Sequence, residues 1–339
     1  MSEDKANRMN RRRFLERAST AGIILSGSTL LSEAAPKQPS RLSYDISRFS
    51  VTDPKLIGYT EQRRFTKVAD RPRRIWAKPS GGFLLACGKG ILEFSAEAEV
   101  KTELATSQPA RCVAMDYSGN VYAGSKDGIH VFKEGKQTAL WPAPDPQAWI
   151  TAIEPHGEDV YVADSSSRLI LRYDRSGKIT KRIGGKDKER NVPGIILPSP
   201  YLDVKVAPDG LLRVNNTGRH CVELYTRDGD LELSWGKPTA AIEGFCGCCN
   251  PIALDVLPDG RYLTCEKGLP RVKIYSADGA FHTVVAGPET FPENSRHGAA
   301  RDPIDGTMGG LDASPGPGGT ILVLDLVTAN VHVMKPKPA

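Results

Sequence analysis

Between Tyr201 and Gly236 the chain reads YLDVKVAPDGLLRVNNTGRHCVELYTRDGDLELSWG, with apolar and polar residues alternating in four short runs. Asp209-Gly210 separates the first two runs, a polar loop leads into the third, and Asp228-Gly229 separates the third from the fourth. A period of two puts one face of each run in a core. Asp-Gly reaches the positive φ of a tight hairpin cheaply. The segment therefore predicts four consecutive antiparallel strands.

The same pattern returns five more times, over 75–97, 112–135, 151–177, 252–279 and 311–333. The first turn of each copy is Ser80-Gly81-Gly82, Ser118-Gly119, Gly157-Glu158, Asp259-Gly260 or Gly318-Gly319, and the second is clearest at Ser176-Gly177 and Asp278-Gly279. Strands such as VYVAD, RYLTCE and ILVLD carry the β-branched and aromatic residues of half-buried sheets. No helical period is sustained. A four-stranded unit cannot cover its own faces, but six arranged radially cover one another. The expected fold is all-β, a six-bladed β-propeller of four-stranded antiparallel blades. The last copy stops after its third strand, VHVM, so the segment 54–65, containing LIGYT, is expected to supply the missing outer strand and join the N- and C-terminal ends. The propeller then spans 54–339.

VNNTGRHCVELYTRDGDLELSWG, VADSSSRLILRYDRSGK and CEKGLPRVKIYSADG resemble the NHL repeat. The resemblance implies a six-bladed propeller and no particular activity, since the family includes binding modules and a few enzymes. Ahead of it, Asn10-Arg11-Arg12-Arg13-Phe14-Leu15 precedes a weakly apolar stretch and Ser32-Glu33-Ala34-Ala35. This resembles a twin-arginine export signal, carried by Arg11, Arg12, Phe14 and Leu15. The expected organisation is a signal peptide over 1–35, a linker over 36–53 and an exported, periplasmic or otherwise extracytoplasmic propeller. The apolar stretch is too short and interrupted to span a bilayer, which takes about 20 apolar residues. Removing 1–35, with six Lys or Arg and four Asp or Glu, takes the net charge from +5 to +3. That balance, with no basic stripe, does not point to nucleic acid. A monomer binding a protein or small molecule at the channel face is expected.

The chain has seven cysteines. In the expected topology Cys112 begins an innermost strand, Cys87 and Cys265 end second strands and Cys221 begins a third. Cys246, Cys248 and Cys249 lie in the loop entering the fifth blade, so all seven belong to one face. One hairpin separates Cys246-Gly247-Cys248-Cys249 from Cys265, so the four could share a ligand sphere for a soft metal, zinc or copper, or an iron-sulfur cluster. The spacing matches no standard zinc or ferredoxin motif. Disulfides, including one between the adjacent Cys248 and Cys249, and thiols exchanging with a partner stay open beside it.

A second recurrent position, nine residues before Tyr173, Tyr225, Tyr275 and Met334, holds Asp164, Asn216, Glu266 and Asp325. Such residues close loops by bonding nearby backbone; the alternative is an oxygen-ligand ring for Ca²⁺, serving a lactonase-like, metal-dependent hydrolase or lyase. The long connections 184–200, 237–251 and 287–309 bring Lys186, Arg190, Arg296, His297 and Arg301 towards a partner. No Gly-x-Ser-x-Gly or His-Glu-x-x-His motif is present, so no catalytic residue is assigned. Enzymatic activity is left open beside a binding module and a disulfide-stabilised interaction scaffold.

Overall fold

The computed structural model describes residues 47–294 and 309–338. After β1 (Tyr59–Phe65), the first blade is β2 (Arg74–Ala77), β3 (Phe83–Cys87), β4 (Gly90–Phe94) and β5 (Val100–Ala105). The second is β6 (Cys112–Met115), β7 (Asn120–Gly124), β8 (Gly128–Lys133) and β9 (Lys136–Pro142). The third is β10 (Ile150–His156), β11 (Asp159–Asp164), β12 (Leu169–Asp174) and β13 (Ile179–Ile183). The fourth is β14 (Val204–Val206), β15 (Leu212–Asn216), β16 (Cys221–Tyr225) and β17 (Leu231–Trp235). The fifth is β18 (Ala253–Val256), β19 (Tyr262–Cys265), β20 (Val272–Tyr275) and β21 (Phe281–Ala286). The sixth contributes β22 (Leu311–Pro315), β23 (Ile321–Asp325) and β24 (Asn330–Pro336), and β1 completes it as the outermost strand. The six-bladed propeller and its closure follow the alternation in the sequence. Among the described residues the helices are short 3-10 turns, and none is long and apolar enough to cross a membrane.

Closure is antiparallel, from Tyr59 opposite Pro336 to Phe65 opposite Val331, with a register shift between Glu61 and Arg63. The amide of Lys337 donates to the Gly58 carbonyl at 2.8 Å. At this seam Glu61 lies 3.1 Å from Nδ1 of the buried His332 and accepts from Arg64 at 2.8 Å. The same segment also clips blade five: Ile57 bridges Val284, and Thr283 Oγ1 donates to the Leu56 carbonyl at 2.9 Å.

The apolar core is divided among the seams between blades, as sheets that cover one another require. Between blades two and three, Trp141 at the end of β9 stacks on Tyr173 of β12, with centroids 5.7 Å apart and planes at 14°. Trp235 at the end of β17 takes the matching place against Tyr275 of β20, at 4.8 Å but with the planes tilted by 46°. Each indole also covers the glycine of the next blade's second turn. Gly177 and Gly279 have φ of +87° and +85°, and a Cβ at either would collide with Trp141 or Trp235. Those two positions need glycine both for backbone conformation and for contact.

Deleting Leu56–Thr60 removes the start of β1 and its links to blades five and six. We expect the melting temperature to fall by about 5 °C or more, given a few degrees per kcal/mol at this chain length. An unchanged melting temperature, read by circular dichroism, would refute closure by β1.

Candidate binding site at the channel mouth

Hairpin register gives every blade an equivalent residue on its innermost strand. Arg74 pairs with Ala86, Cys112 with Gly124, Ala152 with Ala163, Ala253 with Cys265 and Asp312 with Leu324; Asp203, just before β14, faces Asn215 at the same level. Two residues further along stand Trp76, Ala114, Glu154, Lys205, Asp255 and Ser314. Because side chains alternate along a strand, these two sets form two tiers directed the same way.

In the upper tier, Arg74 of blade one binds Asp203 of blade four directly and Asp312 of blade six at 3.4 Å. The carboxylates also accept inner-strand amides that have no neighbouring strand: Ile75 N donates to Asp312 at 2.8 Å and Leu254 N to Asp203 at 2.9 Å. In the lower tier, Lys205 stands 3.4 Å from Glu154 and 3.5 Å from Asp255. Burial opposes the Lys205 charge, but the two carboxylates raise its pKa above the ordinary value. Burial pushes Glu154 up to about 7 and Asp312 up to about 6, against the pull of Lys205 and Arg74 respectively. Both pKa values rise, which keeps Lys205 charged and favours the protonated form of Glu154.

Above this plug is a cavity of about 270 Å³. Arg71, Arg73, Arg74, Arg111 and Lys126 stand around it with the aromatic rings of Trp149 and Tyr201, while Leu202, Ile252 and Leu311 supply apolar floor; Asp312 is the one carboxylate in the lining. The Arg111 guanidinium lies over the Trp149 ring at 3.5 Å, and the Lys267 ammonium lies over Tyr201 at 4.6 Å. Charges stacked on rings give both a polar and an apolar surface for a ligand.

The cysteines occupy the expected strand positions, but none of them lines the cavity. Their side chains diverge. Cys265 is buried near Asp312, Arg74 and Asp203, with its thiol raised well above the usual pKa by burial. Cys112 shares that surrounding and is pushed up to about 12 by burial. Cys246 is near Arg271 and Glu266, its thiol likewise raised by burial. Cys248 and Cys249 have sulfurs 3.4 Å apart. All seven are free thiols, and among the described residues no three His, Cys, Asp or Glu side chains converge as a metal site. The hairpin brings Cys246 close to the end of β19, but Cys246, Cys248, Cys249 and Cys265 do not share one ligand sphere.

The residues of the candidate oxygen ring each hold the loop entering their own blade. Asp164 accepts from Trp149 N at 2.8 Å, Asn216 from Ile196 N at 3.0 Å, Glu266 from Cys246 N at 3.1 Å, and Asp325 from Asn294 Nδ2 at 2.8 Å. Glu266 does more. It accepts from Arg271 Nη2 and stands 2.6 Å from Lys273 Nζ, all three side chains being buried. Burial works against the Glu266 charge, but Lys273 and Arg271 hold its pKa below the ordinary value. Lys273 is lowered to about 8 by burial, with Glu266 opposing. Here one carboxylate serves two cations, the reverse of the Lys205 site. Both cations also donate to loop carbonyls, Arg271 to Ala240 at 3.0 Å and Lys273 to Gly244 at 2.6 Å, so the triad anchors the cysteine loop.

Lys186 is exposed, whereas Arg190 binds Asp230 at 2.9 Å and the Asp228 carbonyl at 2.8 Å, in the turn between β16 and β17. Arg296, His297 and Arg301, like Arg11, Arg12, Phe14 and Leu15, lie outside the described residues. The sequence reading missed Arg74, Arg111, Trp149 and Tyr201. A signal was present in the run Arg71-Pro72-Arg73-Arg74 at the entry to an innermost strand, and in Leu-Asp recurring at Leu202-Asp203 and Leu311-Asp312.

No protein-family model and no curated protein matches the sequence. Among solved structures, a streptogramin B lyase is similar over 81% of this chain and 97% of its own, with a TM-score of 0.57 and 14% identity. A virginiamycin B lyase from Staphylococcus aureus covers 81% of this chain and 99% of its own at a TM-score of 0.54 and 16% identity. The WD40 propeller domain of Doa1 covers 83% and 98%, with a TM-score of 0.52 and 14% identity. The shared feature is the propeller fold, which hosts a lyase in some and a WD40 domain in another. Fold alone does not assign activity.

Two measurements check the buried charges. Glu266→Ala leaves Arg271 and Lys273 buried beside each other without their carboxylate, and we expect a loss of about 3–5 kcal/mol in denaturant unfolding. For Glu154, a folded pKa of about 7 lies above an unfolded value of about 4.3. The native state therefore holds a proton that the unfolded state releases, and this contribution to stability is lost as pH rises through that window. Glu154→Gln should flatten the decline: between pH 5 and pH 8 wild type should lose stability relative to the variant. A constant difference would contradict the raised pKa.

Proposed function

We propose that this protein is a binding module, built on NHL-type blades, whose channel-mouth cavity takes a small anionic molecule bearing a flat or apolar portion. The observation that carries this reading is the cavity itself: a basic rim, the Arg111–Trp149 stack and an apolar floor, with its single lining carboxylate already engaged by Arg74. An anion gains charge-assisted hydrogen bonds at such a rim, and a ring gains contact with Trp149 and Tyr201. Arg74 and Asp312 of the upper tier belong to the cavity's lining.

A thiolate-bound metal or iron-sulfur cluster is less well supported, because among the described residues no three His, Cys, Asp or Glu side chains converge as a metal site. An oxygen-bound cation with lactonase-like chemistry is likewise disfavoured by the loop bonds that occupy Asp164, Asn216, Glu266 and Asp325. The setting we propose is extracytoplasmic, on the strength of the Arg-Arg-x-Phe-Leu segment near the start of the chain.

Calorimetric titration with a panel of aromatic and aliphatic carboxylates and phosphates tests the reading. Binding should weaken with added salt, and Arg111→Ala and Trp149→Ala should each raise Kd about tenfold, the equivalent of ~1.4 kcal/mol. Failure of the whole panel to bind, or binding indifferent to both variants and to salt, would overturn it.

A further inference from the structure

Of the seven cysteines, Cys248 alone is exposed. Its neighbour Cys249 is buried, with sulfurs 3.4 Å apart, and Ser199 Oγ donates to Cys249 Sγ at 3.6 Å. The loop around the pair is fixed on both sides. Cys246 N is held by Glu266, Gly247 O lies 2.6 Å from His220 Nε2, and Asn250 exchanges bonds with Lys267, accepting its amide at 2.9 Å and donating to its carbonyl at 3.0 Å. One thiol is thus open to attack an outside molecule while the second waits in contact, shielded from that molecule. Neither generic blade packing nor the binding cavity requires this arrangement.

We propose that Cys248 and Cys249 form a thiol–disulfide exchange site whose substrate is an external low-molecular-weight disulfide. Deprotonated Cys248 attacks one sulfur of that disulfide; its S–S bond breaks, and the leaving thiolate takes up a proton. Cys249 then gives up its proton and attacks Cys248 Sγ, breaking the mixed disulfide and releasing the second outside thiol. Two protein thiols are oxidised to one disulfide, and one outside disulfide is reduced to two thiols.

The test uses oxidised glutathione on the reduced full chain, followed by alkylation and peptide mass mapping. In wild type the peptide carrying Cys248 and Cys249 should lose two hydrogens and both alkylation sites, and dithiothreitol should restore them. Cys249→Ser should retain glutathione on Cys248, whereas Cys248→Ser should carry none on Cys249. Melting curves of both variants establish that they fold, and if Cys249→Ser does not, the wild-type mapping decides. A stable glutathione adduct on wild-type Cys248 without ring closure, a link from Cys248 to another cysteine, or no reaction at Cys248 would overturn the proposal. None of these outcomes depends on whether the cavity binds an anion, so the two readings fail separately.

Discussion

A single guanidinium, that of Arg74, crosses the bore of the propeller and joins blades one, four and six. Radial sheets pack well against their neighbours, but nothing in that packing ties a blade to the one opposite. The Arg74–Asp203 pair supplies such a tie, and Asp312 extends it to the sixth blade, the one that β1 completes. Burial opposes the charge on Arg74, while the two carboxylates raise its pKa, so the group stays ionised. The same carboxylates satisfy amides on the open edge of neighbouring inner strands. Charge pairing and edge satisfaction therefore coincide in one buried cluster.

A second buried network sets the shape of the rim. Glu266 and Arg271, at the two ends of the β19–β20 connection, and Lys273 of β20 reach into the loop before blade five, binding both its backbone amide at Cys246 and its carbonyls at Ala240 and Gly244. A long loop without regular structure would ordinarily be mobile. Here its backbone groups have buried ionic partners, so the positions of Cys248 and Cys249 follow from the core of the blade. The loop is long, yet it is built.

The fold was legible because its signal is local and repeated. Alternation and Asp-Gly turns mark the hairpins at Asp209-Gly210 and Asp228-Gly229, and a missing fourth strand in the last copy pointed to the segment before Arg74. The site was less legible. Cys246 and Cys265 do approach through their hairpin, but sequence spacing gives the path of the backbone and not the direction in which a thiol points. Arg74 escaped notice because its equivalents are Asp203, Asp312 and Cys112, so the position repeats while the residue type does not. Asp164, Asn216 and Asp325 showed the opposite case: a conspicuous recurring polar position whose role is to hold an entering loop.

The pairing of β1 with β24 has a consequence for how the molecule forms. Five blades are built from strands close together in the chain and can assemble locally. The sixth joins the earliest strand of the propeller to the latest, a contact of the highest sequence separation the fold offers, and such contacts are slow to form. Until β24 exists, β1 has no partner and its edge is open to any other strand. The ring is thus a circle with a clasp: its parts can be shaped in order of synthesis, but the tension that holds them together arrives all at once, with the last strand.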